Sequence, residues 1–123
     1  MADSLTLSQC YQYMIVKLTD PIDLANIKLL ITKIDSIGRE LGIDKVLVDA
    51  SKRVGPMPST EELLDIGMFL VNLTKGRLKF AAVVNFRPEV HGFFEAAVGY
   101  RGIDISFFEQ EALALQWLGV RSK

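Results

Sequence analysis

The stretch KFAAVVN, Lys79 to Asn85, most narrows what this chain can fold into. Its apolar residues run consecutively instead of alternating, so a strand built from it has no face to turn to water. Lys45 to Asp49 (KVLVD) has the same character. Strands of this kind belong in sheets covered on both faces, and the segments between these strands carry helical spacing. From Asp23 to Leu41, residues Leu24, Ile27, Ile31, Ile34 and Leu41 recur at that spacing, with Gly42 as the closing residue.

The rest of the chain extends the alternation. Tyr11 to Leu18 (YQYMIVKL) predicts a strand that stops at Thr19-Asp20-Pro21. Ser59 to about Lys75 predicts a helix closed by Gly76, and Pro88 opens another that ends near Gly102. Ile103 to Phe108 is a fourth strand and Glu109 to Leu118 a fourth helix, while Ala50 to Pro58 is irregular. The order is β-α-β-α-β-α-β-α, an α/β fold. Each crossover is long enough for a right-handed unit, so the four strands should be mostly parallel. Leu5 and Leu7 alternate with polar residues and can add an antiparallel N-terminal edge strand. Residues 1–123 form one domain.

Half of the residues are apolar and mean hydropathy is +0.26. A two-faced sheet, a dimer interface or a ligand groove must cover that surface. With 14 basic and 15 acidic residues and no basic block, the chain lacks the footprint of a nucleic-acid binder. Cys10, the only cysteine, allows neither an internal disulfide nor a zinc cluster, and is expected as a small buried hydrophobe. Met1 to Gln9 lack signal-peptide character, and no apolar run reaches the ~18–20 residues that span a bilayer. A soluble cytoplasmic protein without metal or cofactor is expected.

Few residues invite chemistry. Ser59 and Glu62 have capping-box spacing. On the wheel of the second helix, Leu63, Ile66, Leu70, Val71 and Leu73 form the core stripe and Glu61, Glu62, Asp65 and Asn72 the opposite face. Met68 and Phe69 flank that polar face, and an exposed Phe69 would suit a protein partner, a dimer mate or an apolar ligand. His91 and Glu95 are spaced as a solvated i,i+4 pair. No serine, cysteine or second histidine is placed to complete a triad, and the acids and lysine of a phosphoacceptor receiver are missing. No glycine-rich phosphate loop occurs. Lys52, Arg53 and Arg87 could hold an anionic headgroup or phosphate if they converge.

Phe108, then five residues, then Ala114-Leu115-Gln116-Trp117-Leu118 resembles the closing signature of the SpoIIAA-like, or STAS-like (STAS/SEC14), bacterial proteins. Tyr100-Arg101-Gly102-Ile103 resembles that family's junction of third helix and last strand. The resemblance implies a single STAS-like domain: a four- to five-stranded sheet with four helices and core order 2-1-3-4. That order implies a crevice at the carboxyl ends of the strands, lined by Thr19, Asp20, Asn85, Phe86 and Arg87. The family's phosphorylatable serine falls near Ser59 or Thr60. Here Pro58 precedes it instead of aspartate, and Glu61-Glu62 replaces the glycine.

Two functions fit. One is a non-enzymatic regulatory module that binds a protein partner or homodimer mate through Met57, Ser59, Thr60, Met68 and Phe69. The other is a carrier or sensor of a small apolar or lipid-like ligand, held between helices and sheet by residues such as Phe86, Phe93 and Phe94.

Overall fold

Ser4–Leu7 (β1) and Met14–Lys17 (β2) form an antiparallel pair in the computed structural model, which describes residues 3–120. The reversal consumes part of the expected strand. Gln9–Tyr11 makes a single 3-10 turn, and Ser8 Oγ accepts the amides of Gln12 and Tyr13 at 3.0 Å each. Registering Leu7 against Met14 leaves residues 8–13 for the turn, so β2 begins at Met14 and not at Tyr11. Cys10 lies in this turn with φ of 60°, and it is exposed, not buried.

The chain then alternates as expected. Leu24–Leu41 (α1), Lys45–Asp49 (β3), Thr60–Thr74 (α2) and Lys79–Val83 (β4) come in turn. A π-helical turn, Pro88–Gly92, leads into Phe93–Gly99 (α3), and Asp104–Phe108 (β5) and Glu111–Leu118 (α4) complete the fold. The sheet is five-stranded and parallel from β2 to β5, with the antiparallel pair at its edge.

The spatial order is β1-β2-β3-β4-β5, which corrects the expected 2-1-3-4. The hairpin is the cause. A short local loop closes cheaply, and β1 thereby occupies one edge of β2 and leaves a single edge for a parallel neighbour. Crossovers of one hand, all stepping in one direction, put α1, α2 and α3 on the same face. There they cover Met14, Val16, Val46 and Phe80. The opposite face carries Tyr13, Leu47, Ala81 and Val83, which pack against Ala114, Leu115 and Leu118 of α4.

The closing signature is packing chemistry for α4. Trp117 lies 5.8 Å from Phe108, and the Lys79 ammonium sits 4.4 Å above the indole while donating to the Trp117 carbonyl at 3.1 Å. On the other face the helices approach closely. A Cβ on Gly67 of α2 would stand 2.7 Å from Val98 Cγ1 of α3, so only glycine allows this spacing. Asp35, buried in α1, accepts from Arg39 at 3.0 Å and from Arg77 just before β4.

Candidate functional site

Three helices on one face leave space beneath them at the carboxyl ends of the strands. A cavity of about 440 Å³ lies there. Its floor is the helix-facing side of the sheet: Val16, Val48, Phe80, Ala82, Ile105 and Phe107. Ala82 is the small residue of that row, where a larger side chain would rise into the space. Its walls are Ile27, Ile31 and Ile34 of α1, Leu63, Ile66 and Leu70 of α2, and Phe94 of α3.

The mouth is built from the segments that leave β3 and β4. Loop 50–58 is pinned to the sheet by Ala50 N–H donating to Val83 O at 2.8 Å and Val54 N–H to Thr19 O at 3.1 Å. Gly55 (φ +98°) presses against Pro21; a Cβ there would be 2.9 Å from the proline Cβ. Arg53 folds the loop from within, donating to Val54 O and Pro56 O at 3.1 and 3.3 Å and touching Met57 Sδ at 3.1 Å. Arg53, Asn85, Arg87 and His91 are the polar members of the lining, and no acidic residue belongs to it.

His91 departs from its expected place. It is buried at 8 % exposure rather than solvated, and it lies between Phe86 (5.7 Å) and Phe107 (4.9 Å). The π-helical turn explains this, since one extra residue rotates the downstream side chains by roughly 100° relative to an α-helix. Glu95 instead accepts from Ser106 Oγ at 3.4 Å. The Arg87 amide donates to His91 Nδ1 at 2.9 Å. Burial, then the charges of Arg53 and Arg87, hold the imidazole below its ordinary value, against the opposing Glu89.

The other residues of interest separate into two groups. Asn85, Arg87 and Met57 meet at the cavity. Phe86 is 39 % exposed beside it, and Thr19 and Asp20 turn away, their amides donating to Asp3 Oδ1 at 2.8 and 3.1 Å. Asp49 closes a turn by accepting from the Ser51 amide and hydroxyl. Ser59 and Glu62 complete their capping box at 3.1 and 2.9 Å, with Thr60 exposed in the first turn of α2. Phe69 is half-buried, not exposed: it packs against the core beside α1, with the Lys28 ammonium 5.7 Å from its ring centre. Lys28 also pairs with Asp65, so the flank that looked open on the wheel is covered by α1. Met68 is exposed, together with Leu64 and Phe93. Sequence reasoning missed the aliphatic walls, because Ile27, Ile31 and Ile66 read equally well as filled core.

The expected crevice at a change of strand direction does not arise, since the strands lie in sequence order. The opening lies between helix layer and sheet instead. Among the described residues no three His, Cys, Asp or Glu side chains come together to hold a metal, and no helix is long and apolar enough to cross a membrane.

No family sequence profile matches the chain, and no curated protein does. A solved structure does. An uncharacterized DUF3478-family protein from Shewanella loihica PV-4, described as having a SpoIIAA-like fold, superposes with a TM-score of 0.58. The alignment covers 95% of this chain and 92% of that one at 17% identity. This chain has a SpoIIAA-like fold. Within that SpoIIAA-like domain the likeness covers hairpin, sheet and helices, which sets the resemblance of the C-terminal motifs in a complete architecture.

Proposed function

We propose that this SpoIIAA-like domain is a non-enzymatic carrier or sensor of a small apolar, lipid-like ligand held between its helices and sheet. The cavity of about 440 Å³ supports this reading. Ligand sites usually measure about 300–1,000 Å³ and are mostly apolar with a few placed polar groups. Left void, this volume would cost about 10 kcal/mol at about 24 cal/mol per Å³. That rivals the whole stability of a small domain, about 5–15 kcal/mol. Water offsets the cost only where it finds polar partners, and the four polar lining residues all come after β3 or β4, at the mouth. An apolar occupant suits the remainder.

A regulatory interaction module is the second reading. Leu64, Met68 and Phe93, each about 40 % exposed, favour it as an apolar strip across α2 and α3. Thr60 and Met57 would flank a partner there. Ser59 is less suited to a switch, because its hydroxyl already caps α2.

Native mass spectrometry of protein purified without detergent tests both. A mass excess lost on denaturation supports the carrier. Bare chain mass, with no displacement of a fluorescent apolar probe by decanol or decanoate, sinks it; a dimer at bare mass supports the module.

A further inference from the structure

We propose that the ligand is a single-chain amphiphile with an anionic head, its tail in the cavity and its head at Arg53, Arg87 and His91. This rests on the carrier reading and deepens it. The charge at the mouth is one-sided. Two guanidinium groups and no carboxylate line the cavity, and Arg53 makes no ion pair among the described residues. Arg87 meets Glu89 at 3.5 Å with both side chains more than half exposed. Such a contact is worth at most about 1 kcal/mol and exchanges readily for a ligand carboxylate or phosphate.

His91 adds a donor. Its Nδ1 is taken by the Arg87 amide, so the neutral ring offers only Nε2–H, which has no protein acceptor among the described residues. A cationic head would meet two like charges. A neutral head would leave the guanidinium groups to water, whereas an anion gains charge-assisted hydrogen bonds. Volume limits the tail. At about 30 Å³ per water-sized group, the cavity holds roughly ten to fifteen heavy atoms, one medium chain and not two.

Decanoate, decyl phosphate and decanol share a tail and differ in the head. Titrated by calorimetry into the whole protein, both anions should bind at least tenfold more tightly than decanol. Arg87→Gln should shrink that preference several-fold. Lys52→Gln, which alters an exposed lysine outside the lining, should keep it. Decanol binding as tightly as both anions overturns the anionic head while leaving the carrier standing. No binding by any of the three overturns both. A carboxylate ranked above phosphate, or the reverse, names the head group.

Discussion

The Arg87 amide donates to His91 Nδ1 across 2.9 Å, and this bond fixes the proton of the neutral ring on Nε2. Arg87 thus serves the mouth of the cavity twice, through its guanidinium and through the backbone that orients the histidine.

His91 should make stability depend on pH. Burial, with Arg53 and Arg87 nearby and Glu89 opposing, lowers its pKa in the folded state. The unfolded chain titrates near the ordinary value of about 6.5. Between the two values the unfolded state binds more protons, so stability rises with pH. The contribution is complete above about pH 6.5 and is lost as pH falls through the folded value. Urea midpoints measured from pH 5 to 8 should show this rise, and His91→Gln should flatten it. A folded-state imidazole titrating at or above 6.5 by NMR would refute the assignment.

Asp35 carries the opposite chemistry with the same sign. Burial pushes its pKa up, but hydrogen bonds and charge from Arg39 and Arg77 outweigh that and hold it below the ordinary carboxylate value. Its contribution is therefore present above about pH 4 and lost as pH falls through the lower, folded value. Asp35→Asn should cost about 1–3 kcal/mol at pH 7 by weakening both contacts. The gap between variant and wild type should narrow in melts toward pH 3. An equal gap at both pH values would assign the cost to packing alone.

Much of the fold was legible because local chemistry decides it. Asp23 and Gly42 bound α1, Ser59 and Glu62 open α2, and unbroken apolar runs mark β3 and β4. Strand order was not legible, because it turns on β1 taking an edge of β2, and Leu5 and Leu7 do not say which edge. The site was half legible. Asn85 and Arg87 come just after a strand end, where functional residues gather in α/β folds. Phe69 misled because a wheel shows one helix and not the neighbour that covers its flank. His91 misled because i,i+4 spacing presumes an α-helix where the chain forms a π-helical turn.

The contact of Gly67 with Val98 predicts a cost with a specific rescue. Gly67→Ala gains helix propensity worth about 1 kcal/mol. The new methyl must however displace Val98 Cγ1 from 2.7 Å, and overpacking of this kind costs about 1–3 kcal/mol. A net loss of up to about 2 kcal/mol is expected. Val98→Ala removes the clashing methyl, so the double variant should be more stable than the two separate losses predict. Simple additivity in denaturant melts would show that α2 and α3 adjust by another route.

Ala82 offers the sharpest separation of cavity from core. It is buried at 4 % exposure in the floor, beneath the aliphatic walls of α1 and α2. In a filled core, Ala82→Met would force neighbours off their rotamers at about 1–3 kcal/mol. Over the cavity, the unbranched side chain extends into existing space and removes apolar surface from water. A methionine there buries two or three more methylene-sized groups, each worth about 0.8 kcal/mol. The melting temperature of the ligand-free variant should therefore hold or rise, while decanoate affinity falls tenfold or more. Loss of stability with binding intact would mean that the space beneath the helices is closed in solution and that the ligand sits elsewhere.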